Sequence, residues 1–225
     1  MTGVGTVAVV AGGEQFVLRA DRTLWIPGCR MLVVADLHLG KSAVFRRHGL
    51  PVPEGDTERD LERLSGAIAA QGAEQLLIAG DFFHAPAAQS QEVLALVRRW
   101  RSEHAGLAVR LVVGNHDRGR AMPPADLEFA VSEESHEAGG LRFVHDPGEA
   151  GPGAYAVAGH LHPAVRLRGG GRSVPCFWLR EAGLVLPGFG TFTGGARVRP
   201  GEGERVFAVA DGMVVEVPGR LVAGS

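Results

Sequence analysis

The sequence contains little lysine, little cysteine and no long apolar run. Lys41 is the single lysine among 23 basic residues, so arginine carries nearly all of the positive charge. Cys29 and Cys176 are too few for a disulfide framework, and neither lies in a cysteine spacing typical of metal binding. No apolar run approaches the roughly 20 residues that a membrane-spanning helix needs. These absences predict a soluble protein of a reducing compartment, the cytoplasm, with no membrane partner.

Net charge and chain length narrow the possible binding partners and the number of domains. The formal net charge of -2 provides no overall attraction to nucleic acid or to acidic membranes. The 225 residues fit one domain with a sizeable core, and we expect a single domain over 1–225. The N-terminal MTGVGTVAVVAGG is mildly apolar but has no basic leader, which predicts a first strand rather than a signal peptide.

The order of predicted elements favours an α/β fold with two sheets. Short apolar runs predict three strands within 5–26 and further strands at 31–35, 75–79 and 108–113. Helical patterns between the last three strands favour parallel pairing with right-handed crossovers. From about residue 129 onward, short strands between Gly and Pro turns predict a second, largely antiparallel sheet. We therefore expect two mixed β-sheets packed as a sandwich, with helices outside.

Two helices and two turns can be placed more closely. Thr57–Asp60 has the pattern of a capping box that opens a helix, and Ser90 is expected to cap the next helix. The segment 45–56, FRRHGLPVPEGD, predicts a loop, and the glycines at 169–171 predict a hairpin tip. The expected buried faces are Leu61, Leu64 and Ile68 in the first helix, and Val93, Val97 and Trp100 in the second.

Side chains that bind metals follow the apolar runs. Six of the nine histidines lie in short polar clusters, nearly all directly after such a run. Ligands bind beyond the carboxyl ends of the strands in α/β sheets, so five such strand ends predict one convergent site. The clusters contribute Asp36, His38, Asp81, His84, Asn115, His116, Asp117, His145, His160 and His162.

The donor types indicate the metal and the chemistry. Carboxylate, amide and imidazole donors without a thiolate favour Mn, Fe or Zn over Ca or Mg. Seven candidate ligands are too many for one tetrahedral ion and suit two ions that share a bridging carboxylate. Paired ions stabilise both the attacking and the leaving oxygen at phosphorus, which favours hydrolysis of phosphate esters. The candidate ligands are Asp36, His38, Asp81, Asn115, His145, His160 and His162.

These motifs, taken together and in this order, resemble the calcineurin-like metallophosphoesterase superfamily over roughly 31–190. The resemblance implies that Asp36, His38 and His162 hold the first metal. It implies that Asn115, His145 and His160 hold the second, and that Asp81 bridges the two. It further implies that a water activated between the metals attacks phosphorus, with His116 as the general acid for the leaving oxygen. Asp117 is then expected to orient His116 and to favour its protonated form.

The second motif departs from the common pattern. Many phosphatases of the superfamily have Gly-Asp-x-x-Asp-Arg, whereas here the motif ends in His84. A histidine at this position resembles the motif of the DNA-nuclease branch, in which that histidine contacts substrate phosphate. An alternative role for His84 is to support the residues that surround the metals. Nearby basic residues are interpreted either as phosphate contacts or as solvated loop residues. They are Lys41, Arg46 and Arg47 after the first motif, and Arg118 and Arg120 after the third.

Three stretches carry a finer resemblance. ADLHLGKSAVFRRHGLPVPEGDT, RFVHDP and LPGFGTFTGG resemble the bacterial ligase-associated DNA damage response endonucleases, the PdeM family. This implies a Mn-dependent phosphodiesterase acting on single-stranded or damaged DNA, in association with an ATP-dependent DNA ligase and a helicase. Two alternatives stay open: a phosphodiesterase or phosphatase acting on cyclic nucleotides or phosphomonoesters, and a scaffold that keeps this fold without its chemistry.

Overall fold

The computed structural model describes residues 5–168 and 170–222, which form two β-sheets and three α-helices. The helices are α1 (Lys41–Arg47), α2 (Asp56–Gln71) and α3 (Gln91–Glu103). The strands of the first sheet are β1 (Thr6–Ala11), β2 (Glu14–Arg19), β3 (Leu24–Ile26), β4 (Met31–Val34), β5 (Gln75–Ala79), β6 (Ala108–Val112) and β7 (Ala130–Ser132). Those of the second are β8 (Ser135–Ala138), β9 (Leu141–Val144), β10 (Tyr155–Ala158), β11 (Pro163–Val165), β12 (Val174–Leu179), β13 (Gly183–Val185), β14 (Ala196–Arg197), β15 (Arg205–Ala210) and β16 (Met213–Val217).

The first sheet follows the chain order from β1 to β7. Its first four strands pair antiparallel, and β4 to β7 pair parallel, as the strand–helix alternation predicts. Val34 lies opposite Ile78, and Ile78 lies opposite Leu111, so β4, β5 and β6 end level with one another. The segments that follow these strands therefore leave the sheet from the same edge.

The second sheet is mixed. The antiparallel pairs are β8–β9, β11–β12, β12–β13, β12–β15 and β15–β16, as expected. At its centre, however, β10 pairs parallel with both β9 and β13, which the sequence patterns do not predict. The connection 145–154 is long enough to bring the chain back to the end of the sheet at which β9 starts. Strand β10 therefore runs in the same direction as β9. The carboxyl ends of β9 and β10 consequently lie side by side, with Val144 opposite Ala158.

The two sheets form a sandwich, and the helices cover the outer face of the first. Alternate residues of β4 face opposite ways: Met31 and Val33 enter the core between the sheets, while Leu32 and Val34 enter the core under the helices. A strand that is apolar on both faces is buried on both. The predicted sandwich with flanking helices is thus confirmed.

The helix predictions are partly right. Ser90 caps α3 by accepting the N–H of Val93 at 3.3 Å. The predicted faces of α2 and α3 are buried. The capping box at Thr57–Asp60 is wrong: α2 begins at Asp56, after Gly55 in the left-handed conformation. Thr57 accepts the N–H of Gly40 through its hydroxyl instead, because a tertiary partner replaces the local one.

The predicted loop at 45–56 is also too long. Its first three residues, Phe45–Arg47, complete α1, and the irregular part begins at His48. Gly169, the first residue of the predicted hairpin tip, lies outside the described residues. Within 5–168 and 170–222, no helix has both the length and the apolar character needed to cross a bilayer.

Candidate metal centre

The predicted polar clusters meet at one edge of the sandwich. Each follows a different strand that ends there: β4, β5 and β6 in the first sheet, and β9 and β10 in the second. The carboxylate of Asp36 accepts the backbone N–H of His160 at 2.9 Å, so it joins the two sheets directly. The convergence of five strand ends that the sequence predicts is therefore present in the structure.

Two groups of side chains at this edge could each hold a cation. One contains Asp36, His38 and His162, and the other contains Asp81, His145 and His160. Within each group, ligand atoms from all three residues lie within 4.8 Å of one another. Asn115 joins the second group, because its Oδ1 lies 2.8 Å from Nε2 of His145. These two groups contain the seven residues expected as ligands.

Asp81 lies between the two groups. Its Oδ2 is 3.7 Å from Nε2 of His38, and its Oδ1 is 3.6 Å from Nε2 of His145. The two oxygens of one carboxylate therefore face the two groups separately. The carboxylate is almost fully buried, with 2% of the residue exposed, and burial raises its pKa. Metal ions on either side would supply the positive charge that stabilises the ionised form of this buried carboxylate.

The hydrogen bonds of His145 also fit a metal. Its Nδ1 lies 3.1 Å from the carbonyl oxygen of Ala79, so this nitrogen is the donor. Nε2 then carries a lone pair, yet it faces the amide oxygen of Asn115 and, at 3.0 Å, Nδ1 of His160. A cation bound between these atoms would accept lone pairs from all three residues. Donation of the second ring nitrogen to a carbonyl is the usual support of a metal-binding histidine.

His38 is held in the neutral form that metal binding needs. Burial, followed by the charges of His162, Lys41 and other neighbours, lowers the pKa of His38 to about 2. Its Nδ1 is buried without a hydrogen-bond partner among the described residues. Burial also lowers the pKa of His162. The hydrogen bond to Asp36 and the negative charge of Asp36 outweigh burial, so the pKa of His162 is raised.

The backbone at the site is strained. Non-glycine residues rarely adopt positive φ, and each such residue costs about 1–3 kcal/mol. Positive φ at functional residues is stable only when the surrounding packing enforces it, so the fold places these side chains at an energetic cost. The candidate ligands with positive φ are Asp36 (55°), His38 (48°), Asp81 (54°), His160 (66°) and His162 (44°).

Two glycines leave room for the ligands. A Cβ on Gly80 would lie 2.0 Å from Nδ1 of His145, and a Cβ on Gly114 would lie 2.3 Å from Oδ1 of Asp81. Both distances are far below van der Waals contact. The glycines that precede Asp81 and Asn115 in the sequence motifs are therefore required for close packing of the ligands.

Asp117 has a different contact from the one predicted. Its carboxylate, which is 0% exposed, accepts the backbone N–H groups of Asp81, Phe82 and Gly114 at 2.7, 2.8 and 2.9 Å. The expectation that it orients the His116 ring is wrong, because all of these bonds are to the backbone of the loops. Asp117 instead ties the loop that carries Asp81 to the loop that carries Asn115.

His84 holds the ring of His116. Nδ1 of His116 lies 2.6 Å from the carbonyl oxygen of His84, and the two rings stack with centroids 5.2 Å apart. Burial, followed by the charges of Lys41 and His116, lowers the pKa of His84 to about 4. Both histidines also lie against His38, with which they form a third cluster of potential ligand atoms. The structure thus brings His84 and His116 to the centre, as predicted.

The five predicted basic residues differ in their surroundings, and one of them, Arg120, is exposed. Lys41 lies at the start of α1, and its charge acts on His38, His84 and His162. Arg46 donates to the carbonyl of Pro53 at 2.9 Å, and Arg47 donates to that of Ala87 at 2.9 Å. These two arginines brace loops, so the contacts shown do not support their expected role at phosphate. Arg118 is exposed in the loop after His116.

A glycine-rich loop at 187–195 forms one wall of the site. The sequence motifs do not assign a function to this loop. Phe189 donates its N–H to the carbonyl of Ala35 at 2.8 Å, and Gly190 donates to that of Asp36 at 3.2 Å. Asp60 of α2 accepts the N–H and the hydroxyl of Thr191. The segment LPGFGTFTGG was conspicuous for its glycines, but which elements it contacts could be learned only from the structure.

Comparisons with known proteins give one family and two similar solved structures. The profile of the calcineurin-like phosphoesterase family matches residues 29–171, a range that contains all seven candidate ligands. The crystal structure of Pseudomonas putida nuclease MPE is 36% identical, with a TM-score of 0.82, over 95% of this chain and 100% of that chain. Yfce, a phosphoesterase from E. coli, is 17% identical, with a TM-score of 0.44, over 83% of this chain and 97% of that chain. No curated protein sequence gave a significant match.

Proposed function

The chain belongs to the calcineurin-like phosphoesterase family, and we propose that within this family it is a two-metal phosphodiesterase that cleaves DNA. Family membership makes it a hydrolase of phosphoester bonds. The observation that carries the two-metal proposal is the carboxylate of Asp81, whose oxygens face His38 and His145 separately. One ion held on each side of that carboxylate accounts for both groups of ligands.

The proposed ligands follow the two groups. Asp36, His38 and His162 would hold one ion, and Asn115, His145 and His160 the other, with Asp81 shared. Mixed oxygen and nitrogen donors favour Mn, with Fe or Zn as alternatives. When bound, the pair would activate a water molecule and neutralise the negative charge on the oxygens of the reacting phosphate.

We assign the proton that the leaving oxygen needs to His116. Its Nδ1 donates to the carbonyl of His84, so His116 would act as the doubly protonated imidazolium and give the proton on Nε2 to the leaving oxygen. A carbonyl at Nδ1 requires a proton there, and this fixes which nitrogen faces the substrate. His84, whose low pKa keeps it neutral, would contact a phosphate oxygen as a hydrogen-bond donor.

Positive charge for the phosphate would come from few residues. Lys41 is the basic side chain whose charge acts on the site histidines, and Arg118 is exposed next to the loop of His116 and Asp117. Arg46 and Arg47 would contribute indirectly, by holding the loops around α1. Asp117 would act by positioning Asp81 rather than by touching the substrate.

Three observations support DNA as the substrate. The nuclease MPE is similar over nearly the whole chain, the second motif ends in a histidine, and three stretches resemble the PdeM family. The proposal includes single-stranded or damaged DNA as the preferred form. It also includes a cytoplasmic location and functional association with an ATP-dependent DNA ligase and a helicase, as that resemblance implies.

The test is a cleavage assay with added Mn on single-stranded, duplex and nicked DNA, alongside a chromogenic phosphodiester. We expect the wild-type protein to cleave DNA and to lose this activity steeply as salt rises, since phosphate contacts release counterions. Turnover of the small ester alone, without DNA cleavage, would favour a small-substrate phosphodiesterase. No turnover of either substrate would indicate a non-catalytic scaffold.

Asp81→Asn is the variant that tests the shared carboxylate. Replacing one carboxylate oxygen with an NH₂ group should lower the content of both metals and abolish turnover of both substrates. Asp126→Asn is the matched control, because Asp126 is an exposed aspartate paired with Arg98. Near-normal metal content and turnover in Asp81→Asn would rule out the shared role.

A further inference from the structure

Two phenylalanine rings lie together at the site. Phe45 comes from the end of α1, and Phe192 comes from the glycine-rich loop at 187–195. Their ring centroids are 5.8 Å apart, with an interplanar angle of 78°. Both side chains are only partly buried, although phenylalanine usually lies inside a protein. This pair, the Phe45–Phe192 platform, has no function in the chemistry described above.

The platform adjoins the candidate metal centre. The Phe45 ring lies 5.9 Å from the ring of His84, which in turn lies 5.4 Å from that of His38. Lys41 lies one helical turn earlier in α1, and its Nζ is 5.8 Å from the centre of the Phe45 ring. A cation, two aromatic rings and a metal-site histidine therefore occupy neighbouring positions on one surface.

Phe192 is held in place by its neighbours in the loop. Thr191 donates both its N–H and its hydroxyl to Asp60, a residue that is 3% exposed. On the other side, the hydroxyl of Thr193 donates to the carbonyl of Gly190 at 2.8 Å. A fixed backbone on both sides keeps the partly exposed ring next to Phe45. Such pre-organisation lowers the entropy cost of binding a flat ligand.

We propose that the Phe45–Phe192 platform stacks with an unpaired nucleobase of the substrate, beside the phosphate at the metal centre. This inference rests on the proposed function, since it assumes a nucleic-acid substrate. Every base has a π-face, so stacking on aromatic side chains binds single strands without selecting a sequence. Lys41 supplies charge for a backbone phosphate next to that base. Bases within a duplex are already stacked and paired, and the platform therefore favours unpaired DNA.

The competing explanation is packing alone. In that case the two rings only fill the space between α1 and the loop, and any apolar side chain of similar size would serve. Leucine keeps the apolar character of phenylalanine but has no π-face. Substitution by leucine therefore separates the two explanations when binding of normal DNA is compared with binding of DNA that lacks its bases.

The experiment measures binding of two fluorescent single-stranded oligonucleotides of equal length, one normal and one with abasic residues throughout. Binding is followed by anisotropy in Mn, with His116→Ala added to every protein compared, so that the metals are present while cleavage is slow. The variants are Phe192→Leu and Phe45→Leu, each compared with the wild type. The control is Phe129→Leu, because Phe129 is also partly buried and packs edge-to-face on Phe82, in the core under the helices.

For the wild type and Phe129→Leu, we expect Kd to be about 5- to 100-fold lower for the normal oligonucleotide than for the abasic one. For Phe192→Leu and Phe45→Leu, that ratio should fall towards one. An unchanged ratio in both variants, with thermal melting showing that they are folded, would overturn the proposal. Its failure is distinguishable from that of the proposed function: wild-type protein that binds normal DNA selectively but does not cleave it in Mn contradicts only the nuclease proposal.

Discussion

The carboxylate of Asp117 accepts the backbone N–H of Asp81 at 2.7 Å. Asp117 is completely buried and also accepts the N–H groups of Phe82 and Gly114. One carboxylate thus satisfies three backbone donors in two loops that carry candidate ligands. Charged acceptors make stronger hydrogen bonds than neutral ones, so this arrangement fixes the loop of Asp81 firmly.

Asp117→Asn should weaken the metal centre without removing a ligand. The NH₂ group of asparagine is a donor and would face backbone N–H groups, which are also donors. A buried N–H group left without an acceptor lowers the free energy of unfolding by about 1–3 kcal/mol. We also expect metal affinity to fall about 10- to 100-fold, as for other residues that orient ligands. Chemical denaturation and metal titration measure the two effects. Metal affinity equal to that of the wild type would contradict the positioning role.

His116→Ala tests the assignment of the proton donor. A general acid contributes most when the leaving group is a poor one, so hydrolysis of esters of weakly acidic alcohols should slow by about 10²- to 10⁴-fold. Esters with a good leaving group, such as nitrophenolate, should slow much less. His48→Ala is a suitable control, because His48 is an exposed histidine at the end of α1. Equal slowing of both classes of ester would show that His116 acts in another way.

Gly114→Ala should disrupt the centre by steric conflict alone. The added methyl group would lie 2.3 Å from Oδ1 of Asp81 and 2.5 Å from its backbone nitrogen. We expect a loss of metal binding together with a lower melting temperature. Gly66→Ala is the opposite case, since Gly66 lies within α2 and a Cβ there meets nothing within 4 Å. That substitution should stabilise the protein by about 0.5–1 kcal/mol, because alanine favours a helix more than glycine does. A melting temperature unchanged by Gly114→Ala would show that the loops have room to move.

Without metal, the protein should become less stable in mild acid. Burial and neighbouring charges lower the pKa of His38 from 6.5 to about 2, so the unfolded chain binds this proton more readily than the folded chain. The stability that depends on neutral His38 is therefore complete above about pH 6.5 and is lost as the pH falls towards about 2. The slope can reach about 1.4 kcal/mol per pH unit for one such group.

The free energy of unfolding, measured in chelator near pH 7 and near pH 5, checks this expectation. His38→Asn provides the comparison, because asparagine tolerates the left-handed backbone at this position, where φ is 48°. The variant should lose less stability between the two pH values than the wild type does. The same loss in both proteins would show that other groups control the acid response.

Several features could be predicted from sequence because they depend on local patterns. Met31–Val34 and Gln75–Ala79 are short and mostly apolar, so they were recognisable as buried strands. The side chains that follow such strands leave the sheet at a common edge, and this pattern alone predicts that Asp36 and Asp81 lie together. Ser90 was recognised as a helix cap because its partner, the N–H of Val93, lies three residues away.

Other features depended on contacts between distant segments. Thr57 resembles a capping residue but bonds to Gly40, and Asp117 resembles a partner of its neighbour His116 but bonds to the loop of Asp81. In both cases a tertiary partner satisfies the group better than the local one, and no sequence pattern records that partner. The parallel pairing of β9 with β10 is another example, because it depends on the path of the intervening loop.

The sequence by itself determined which side chains gather at the candidate centre and which strands deliver them, since apolar runs and the residues that end them are local properties. Only the tertiary structure decided how those side chains are presented. The left-handed backbone at Asp36, His38 and Asp81 is unfavourable in isolation and persists because the two sheets and the loops pack around it. The approach of Phe192 to Phe45 arises in the same way, from the bonds that tie residues 187–195 to α2 and to the end of β4.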